Sequence, residues 1–229
     1  MKIQLWLLRW IRLACVGTLS LCLLAGCQQA KAPAVVAARV AGSAPSPPAV
    51  NFDYYLLTLS WSPEYCHGHG NSPQCSGGHS GFVVHGLWPQ FNSGQWPSDC
   101  SRAAGLADPS TMLDIMPDPR LIVHEWARHG TCSGLTANQY FALIRKAYDS
   151  IKIPASLVSP SRTSTQSATG IKQLFTEANP AISADDMAIS CHNRYLSAVE
   201  FCLSKDIQSI ACKAARDCNA RAIRIPSSQ

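Results

Sequence analysis

Two apolar segments in the first half of the chain predict β-strands. Residues 54–61 read YYLLTLSW, a run of apolar and aromatic side chains that predicts a largely buried strand and that Pro63 brings to an end. Residues 82–87 read FVVHGL and predict a second strand. This strand carries His85 towards a predicted turn at residues 88–90, where a tryptophan, a proline and a glutamine follow one another.

Capping residues mark the starts of two helices. Asp108-Pro109 and Asp118-Pro119 each place a side-chain acceptor before a proline, and proline is favoured at the first helical position. The second pair opens the segment RLIVHEWARHG. Gly130 follows at its end, where a glycine typically closes a helix.

Two further helices are predicted from their apolar faces. Thr136 and Gln139 form a capping box, after which apolar side chains recur on one face as far as Ile151. A loop rich in serine and threonine, residues 159–169, separates this helix from a shorter apolar stripe over residues 171–178.

Strands return near the end of the chain, at residues 187–191, 195–203 and 220–225. Strands, then consecutive helices, then strands again predict an α+β fold rather than alternating β-α-β units. We expect a central, mainly antiparallel sheet with helices packed on it. A single domain over residues 51–229 is the simplest division.

The first fifty residues predict export. Residues 1–27 combine a basic start, an apolar run of about a dozen residues and the sequence Leu-Ala-Gly-Cys, as in a signal peptide. Because Cys27 closes this run like the cysteine of a bacterial lipobox, lipidation there is favoured, with ordinary cleavage as the alternative. A membrane-spanning helix would need about 20 apolar residues. Residues 28–50 are rich in Ala and Pro and predict a linker.

The distribution of charge removes an apparent hint of nucleic-acid binding. The chain has a formal net charge of +5, yet residues 1–50 contain five basic residues and no acidic one. Residues 51–229 are therefore formally neutral, and no global positive field draws nucleic acid to the domain. With 47% hydrophobic and 14% charged residues, a wholly disordered chain is excluded.

The cysteines predict a disulfide framework. Eight of the eleven lie beyond the predicted signal peptide, and an even number in an exported domain suggests four disulfides. The chain has no Cys-x-x-Cys pair, which disfavours a metal site. Residues 66–81 are crowded with Gly, Ser, Pro and His and predict a loop that Cys66 and Cys75 clip. Spacing alone leaves the other pairings open.

Residues 124–129, HEWARH, carry the densest set of chemical groups. On a helix turning about 100° per residue, His124 and His129 point about 140° apart, so they are poor ligands for one zinc ion. Glu125 and His129 share one helix face, and His124 and Arg128 share its neighbour. A carboxyl, an imidazole and a basic stripe suit acid–base chemistry beside a phosphate. An exposed helix end with ordinary side-chain pairs is the alternative.

A second imidazole, His85, favours the chemical interpretation. It lies at the end of a predicted strand beside a glycine, and Trp88 follows as a ring on which a base can stack. The sequence around Ser80 does not match the motif of a serine nucleophile. We assign no function to the remaining histidines, which are His67, His69, His79 and His192.

Two of these segments resemble the active-site segments of the ribonuclease T2 family. HGLWPQ at residues 85–90 and HEWARHGTC at residues 124–132 match the family's two motifs in order and at a similar separation. WSPEYC at residues 61–66 is similar to the family's opening. The resemblance covers most of residues 52–225 and implies a disulfide-stapled α+β fold of the ribonuclease T2 type.

The resemblance implies an endoribonuclease that cleaves single-stranded RNA by transphosphorylation, through 2′,3′-cyclic phosphate, with neither a metal nor a cofactor. Carried over by motif position, His129 is the general base and His85 the general acid. His124 holds the phosphate, while Glu125 and Arg128 stabilise the transition state. Only RNA carries the attacking 2′-hydroxyl.

Two positions bear on rate and specificity. Arg128 stands where the family usually has lysine, so a planar fork replaces a point charge. Trp88 and Gln90 are the expected substrate contacts, and Gln90 is an amide where some relatives have a carboxylate. We expect low base specificity, with the base preference left open.

The resemblance also completes the expected framework. It implies the pair Cys100–Cys132, and we expect Cys191–Cys218 to enclose Cys202–Cys212 as a nested pair. We expect a monomer that is periplasmic, held at a bacterial membrane by lipid, or secreted, and that acts on single-stranded RNA. The alternative is a catalytically inert exported domain that binds RNA or another partner on the same scaffold.

Overall fold

The computed structural model describes residues 50–78 and 81–228. The predicted signal peptide with Cys27 and, apart from Val50, the predicted linker lie outside the described residues. Over the part of the chain that the structure describes, no helix is both long enough and apolar enough to cross a membrane.

Among the described residues, strands and helices follow the predicted order of strands, helices and strands. The strands are β1 (Tyr54–Trp61), β2 (Phe82–Gln90), β3 (Ser164–Gln166), β4 (Met187–His192), β5 (Tyr195–Leu203) and β6 (Ile223–Ile225). The helices are α1 (Ser62–Gly68), α2 (Pro73–Ser76), α3 (Pro119–Arg128), α4 (Ala137–Asp149), α5 (Ala155–Val158) and α6 (Ala168–Ala178).

The strands form a mixed but mainly antiparallel sheet. Its order is β2-β1-β5-β6-β3, and β4 pairs with β5. All pairings are antiparallel except a short parallel contact between β5 and β6. The predicted α+β class is therefore confirmed. Strand β1 lies between β2 and β5, and β5 is the middle strand, paired with β1, β4 and β6.

The main core lies on one face of this sheet. Leu57 and Leu59 of β1 point to that face, because alternate residues of a strand share a side. Helices α4 and α6 cover it with fully buried side chains such as Ile144 and Phe175. Leu56 projects to the opposite face and joins a smaller apolar cluster there. Because only a small apolar cluster covers that second face, reactive side chains on it can remain accessible to solvent.

A β-bulge shifts the register between β1 and β2. Thr58 pairs with Gly86 and Leu59 pairs with Val84, so His85 is the extra residue on β2. Bulges of this kind redirect side chains and are common beside active sites. The β2 residues in the main core show the shift, because Phe82 and Val84 are two residues apart whereas Val84 and Leu87, across the bulge, are three apart.

The predicted helix caps are confirmed at α3 and α4. The Asp118 side chain accepts a hydrogen bond from the Arg120 amide, with Pro119 at the first helical position. At α4, Thr136 and Gln139 form both hydrogen bonds of the capping box. Helix α3 ends at Arg128, and His129 rather than Gly130 is its C-cap.

Three sequence predictions are wrong in detail, at residues 66–81, 88–90 and 159–169. The predicted loop at residues 66–81 contains the end of α1 and all of α2, because Pro63 ends β1 and also starts a helix. The predicted turn at residues 88–90 continues β2, since an edge strand tolerates a proline. Residues 159–169 contain β3, which pairs with β6, and the start of α6. The helix start predicted at Asp108-Pro109 is confirmed as a short 3-10 helix, Pro109–Met112, in which the Asp108 side chain accepts a hydrogen bond from the Ser110 amide.

Four disulfides staple the described domain, with the pairings that the sequence and the resemblance suggested. They are Cys66–Cys75, Cys100–Cys132, Cys191–Cys218 and Cys202–Cys212. Cys100–Cys132 fastens the loop before α3 to the turn after it, directly beside the HEWARH segment.

Candidate active site

Helix α3 presents two faces with different environments. Ile122 and Trp126 anchor it in the core, and Glu125 is buried on the side facing β2. His129 follows Glu125 by four residues and is also buried. His124 lies on the exposed side of the helix. Glu125 and His129 thus share one buried face, as helix geometry predicts. His124 and Arg128 share the neighbouring face, which is exposed to solvent.

Gly86 brings β2 into close contact with α3. A Cβ atom at this position would collide with the Glu125 carboxyl group and with the indole nitrogen of Trp88. Only glycine therefore lets the strand backbone approach the carboxyl so closely. The glycine of HGLWPQ is required by the packing of the site.

Glu125 is a buried carboxyl with a single strong hydrogen bond. It is 1% exposed, and the indole N–H of Trp88 donates to its Oε2 at 2.7 Å. Burial raises the pKa of Glu125 to about 8, although the Trp88 hydrogen bond opposes this. Near neutral pH the group is therefore largely an uncharged acid that can donate a hydrogen bond.

His85 lies on the bulge, with its ring partly open to solvent. Its Nδ1 is 3.3 Å from the hydroxyl oxygen of Ser60, and its Nε2 is 3.7 Å from Glu125 Oε1. Burial and the nearby charge of His124 lower the pKa of His85 below its ordinary value. Because both partners are mostly uncharged near neutral pH, the contact with Glu125 is not an ion pair there.

His129 is the second imidazole beside the Trp88 indole. The rings of Trp88 and His129 are 5.3 Å apart between centroids, the same separation as between Trp88 and His85. Burial lowers the pKa of His129 to about 4, and the charges of His124 and Arg128 add to this. Its Nδ1 is buried and has no hydrogen-bond partner among the described residues. The ring is a neutral base over most of the pH range.

Arg128 points to the rim of the site and is paired with an acidic residue. Its Nη1 donates to Asp99 Oδ2 at 2.6 Å, and both side chains are about half exposed, at 44% and 57%. Sequence reasoning missed Asp99, because its partner lies 29 residues away along the chain.

A cavity of about 280 Å³ adjoins the two rings of Trp88 and His129. Gln90, the expected substrate contact, lines this cavity, and so does Arg128. Trp96 also lines it and is 53% exposed. Sequence reasoning missed Trp96, although a tryptophan in a polar stretch that predicts a surface loop was the available signal.

The structure thus brings the predicted catalytic groups together. His85, Glu125 and His129 surround Trp88, and the charge of His124 influences both other imidazoles. Over the described residues, no group of three or more His, Cys, Asp or Glu side chains is arranged to hold a metal ion. Fold and site together define a class of disulfide-bonded α+β proteins in which two imidazoles and one buried carboxyl contact the same tryptophan.

Comparison with known proteins identifies the family. The family model described as the ribonuclease T2 family matches residues 52–218. The chain belongs to this family, and the resemblance carried by the two motifs is confirmed.

Individual relatives agree with this assignment. A ribonuclease of Aeromonas hydrophila is 45% identical over 96 residues, which are 40% of this chain and 43% of that protein. Ribonuclease DdI of Dictyostelium discoideum is 30% identical over 177 residues, or 70% of this chain and 77% of that protein. The solved ribonuclease MC1 from bitter gourd seeds superposes with a TM-score of 0.60 at 26% identity, covering 75% of this chain and 99% of its own. The match to the Aeromonas protein spans less than half of its length.

The shifted pKa values of Glu125 and His129 change the pH dependence of the free energy of unfolding in opposite directions. The folded pKa of Glu125, about 8, lies above its ordinary value of 4.5, so its contribution is lost as the pH rises towards 8. The folded pKa of His129, about 4, lies below 6.5, so its contribution grows as the pH rises from 4 to 6.5. The two contributions oppose each other up to pH 6.5. Above pH 6.5, only the Glu125 contribution of these two still changes with pH.

We therefore expect the free energy of unfolding to fall by about 2 kcal/mol between pH 6.5 and 8, at roughly 1.4 kcal/mol per pH unit. The Glu125→Gln variant, which keeps an acceptor for Trp88, removes this fall. Urea unfolding at a series of pH values measures it, with Glu177→Gln on the exposed face of α6 as the control. An undiminished fall in Glu125→Gln would contradict the assignment.

Proposed function

We propose that this chain is an endoribonuclease that cleaves single-stranded RNA without a metal, by transphosphorylation through a 2′,3′-cyclic phosphate. One observation carries the proposal: the rings of two imidazoles, His85 and His129, each lie 5.3 Å from the Trp88 indole, which donates a hydrogen bond to the buried Glu125 carboxyl. Family membership and relatives named as ribonucleases support the same substrate class.

The proposed reaction assigns one proton transfer to each imidazole. Neutral His129 takes the proton of the 2′-hydroxyl, and the oxygen attacks the adjacent phosphorus. The bond from phosphorus to the 5′ oxygen breaks, and protonated His85 gives its proton to that leaving oxygen. The product is a 2′,3′-cyclic phosphate and a free 5′-hydroxyl, so atoms and protons balance.

The remaining groups stabilise the charge on phosphorus. Glu125 as an uncharged acid can donate a hydrogen bond to a non-bridging oxygen, whereas an ionised carboxylate would repel it. Arg128 and His124 supply positive charge at the rim. The net-neutral domain thus binds RNA through a local cluster, and we expect weak, salt-sensitive capture.

The cavity beside the reacting groups suits a nucleobase. Trp96 and Trp88 offer aromatic faces, and stacking accepts every base. The Gln90 amide both donates and accepts hydrogen bonds, which fits several base edges. Solved structures of the same fold contain 5′-AMP in ribonuclease NT and 5′-UMP in a variant of ribonuclease MC1. We therefore propose low base specificity.

The first test is RNA cleavage in excess EDTA, followed by analysis of product ends. We expect 2′,3′-cyclic phosphates from the wild type, and a loss of about 10²-fold or more in kcat in His85→Ala and in His129→Ala, as general acid–base catalysis predicts. His67→Ala, at an exposed histidine outside the site, is the matched control.

The outcomes of this test separate the alternatives. RNA that is retained without turnover supports the inert binding domain. Inactivation by EDTA supports a metal-dependent hydrolase. Undiminished activity in His85→Ala would remove that residue from the proposed mechanism.

The pH dependence of kcat/KM follows from the same groups. His129 must be neutral, which requires a pH above about 4, and His85 must be protonated, which requires a pH below its lowered pKa. We expect a bell-shaped profile with its maximum between about pH 4 and 6.5. Initial rates on a short RNA substrate measure it, and a flat profile from pH 4 to 9 would contradict the two-imidazole mechanism.

We further propose that the protein acts outside the cytoplasm as a monomer. Every cysteine of the described residues is in a disulfide, which fits an oxidising compartment. Periplasmic, lipid-anchored and secreted forms share this requirement. Mass spectrometry of the mature N-terminus distinguishes them in part, and we expect a lipidated Cys27. An unmodified N-terminus would establish ordinary cleavage instead.

A further inference from the structure

Asp99 and Arg128 are joined by two reciprocal bonds. The guanidinium of Arg128 donates to the Asp99 carboxylate at 2.6 Å. In the other direction, the backbone N–H of Asp99 donates to the backbone carbonyl of Arg128 at 2.9 Å. The carboxylate is thus fixed relative to both the side chain and the backbone of Arg128.

The segment that carries Asp99 is held against the end of α3 by its neighbour as well. Cys100 forms the disulfide with Cys132, and its N–H donates to the hydroxyl of Thr131 at 3.2 Å. Thr131 is fully buried and its hydroxyl donates to the carbonyl of Ala127. These links place the Asp99 carboxylate where the Arg128 side chain leaves the helix.

The ion pair is not explained by stability alone. Both side chains are about half exposed, and exposed pairs contribute little to folding. Asp99 also has a φ of +54°, a left-handed conformation that is unfavourable for residues other than glycine, although Asp and Asn tolerate it best. Strained backbone held at one residue by its surroundings is typical of functional positions.

Arg128 lies where its orientation matters to the proposed reaction. It lines the cavity with Trp88, Trp96 and His129. A guanidinium has five N–H donors in a plane, so it can bond a carboxylate with one edge and keep other donors for a phosphate. A lysine ammonium is a single point charge, and the same carboxylate would compete with the phosphate for it.

Resting on the proposed function, we infer that Asp99 is a positioning residue for RNA cleavage, which holds one edge of the Arg128 guanidinium so that its remaining donors face the reacting phosphate. An arginine at position 128 and an aspartate at position 99 then form a functional unit. The opposite role, in which Asp99 withholds Arg128 from the phosphate, predicts a change of the opposite sign.

Asp99→Asn tests the inference, because asparagine keeps the shape and tolerates the left-handed backbone. We expect kcat to fall about fivefold, the scale of one exposed ion pair, with KM for RNA unchanged or lower since a negative charge is lost. Asp99 also raises the pKa of His129, so the acid limb of kcat/KM moves to lower pH. Asp114→Asn is the matched control, because it removes a similar pair with Arg145 away from the site.

A second arm uses Arg128→Lys. In this background we expect Asp99→Asn to leave kcat unchanged or to raise it, because the ammonium no longer has to be shared. Unchanged or increased kcat in the single Asp99→Asn variant, with a melting temperature like that of the wild type, overturns the inference and leaves the proposed function standing. A wild type that yields no cyclic phosphate overturns both.

Discussion

The hydrogen bond from the Trp88 indole to the buried Glu125 carboxyl is the interaction on which the site depends. It joins the edge strand β2 to the helix α3 at the point where Gly86 lets their atoms approach. Because the indole ring contacts both His85 and His129, the same bond positions the ring that the two imidazoles share. The packing of β2 against α3 and the arrangement of the proposed catalytic groups therefore depend on the same hydrogen bond.

Burying a carboxyl and an imidazole together is unfavourable for each in its charged form. The protein resolves this by leaving both uncharged near neutral pH, which is why the shifts of Glu125 and His129 have opposite signs. The hydrophobic core and a disulfide stabilise the fold and so offset the cost of burying these two polar side chains. The apolar face of the sheet is covered by α4 and α6, and the Cys100–Cys132 disulfide ties the end of α3 in place.

Local patterns in the sequence were sufficient for most elements. The limits of β1 and the capped start of α3 follow from an apolar run and from Asp118-Pro119. The shared face of Glu125 and His129 follows from helix geometry alone. Two helices after β1 were missed, since Gly- and Pro-rich sequence also forms short helical turns when a disulfide such as Cys66–Cys75 closes them.

The contacts of Asp99 and Trp96 could not be predicted from the sequence for a different reason. Asp99 pairs with Arg128, and Trp96 joins Trp88 in lining the cavity, only after the loop before α3 has folded back. Such pairs depend on tertiary structure, and no spacing in a single sequence encodes them. The roles of His85 and His129 came from the family resemblance, and the geometry adds their common neighbour.

The bulge at His85 has a consequence for how this segment can vary. Core-facing residues of β2 are Phe82 and Val84 before the bulge and Leu87 after it, so the extra residue reverses which face the rest of the strand presents. Trp88 and Gln90 reach the cavity only because of that reversal. Removing or adding one residue here would turn the tryptophan into the core and a leucine into the cavity. The length of this segment is therefore as much a constraint on the site as its composition, because an insertion or deletion would exchange the two faces of the strand beyond it.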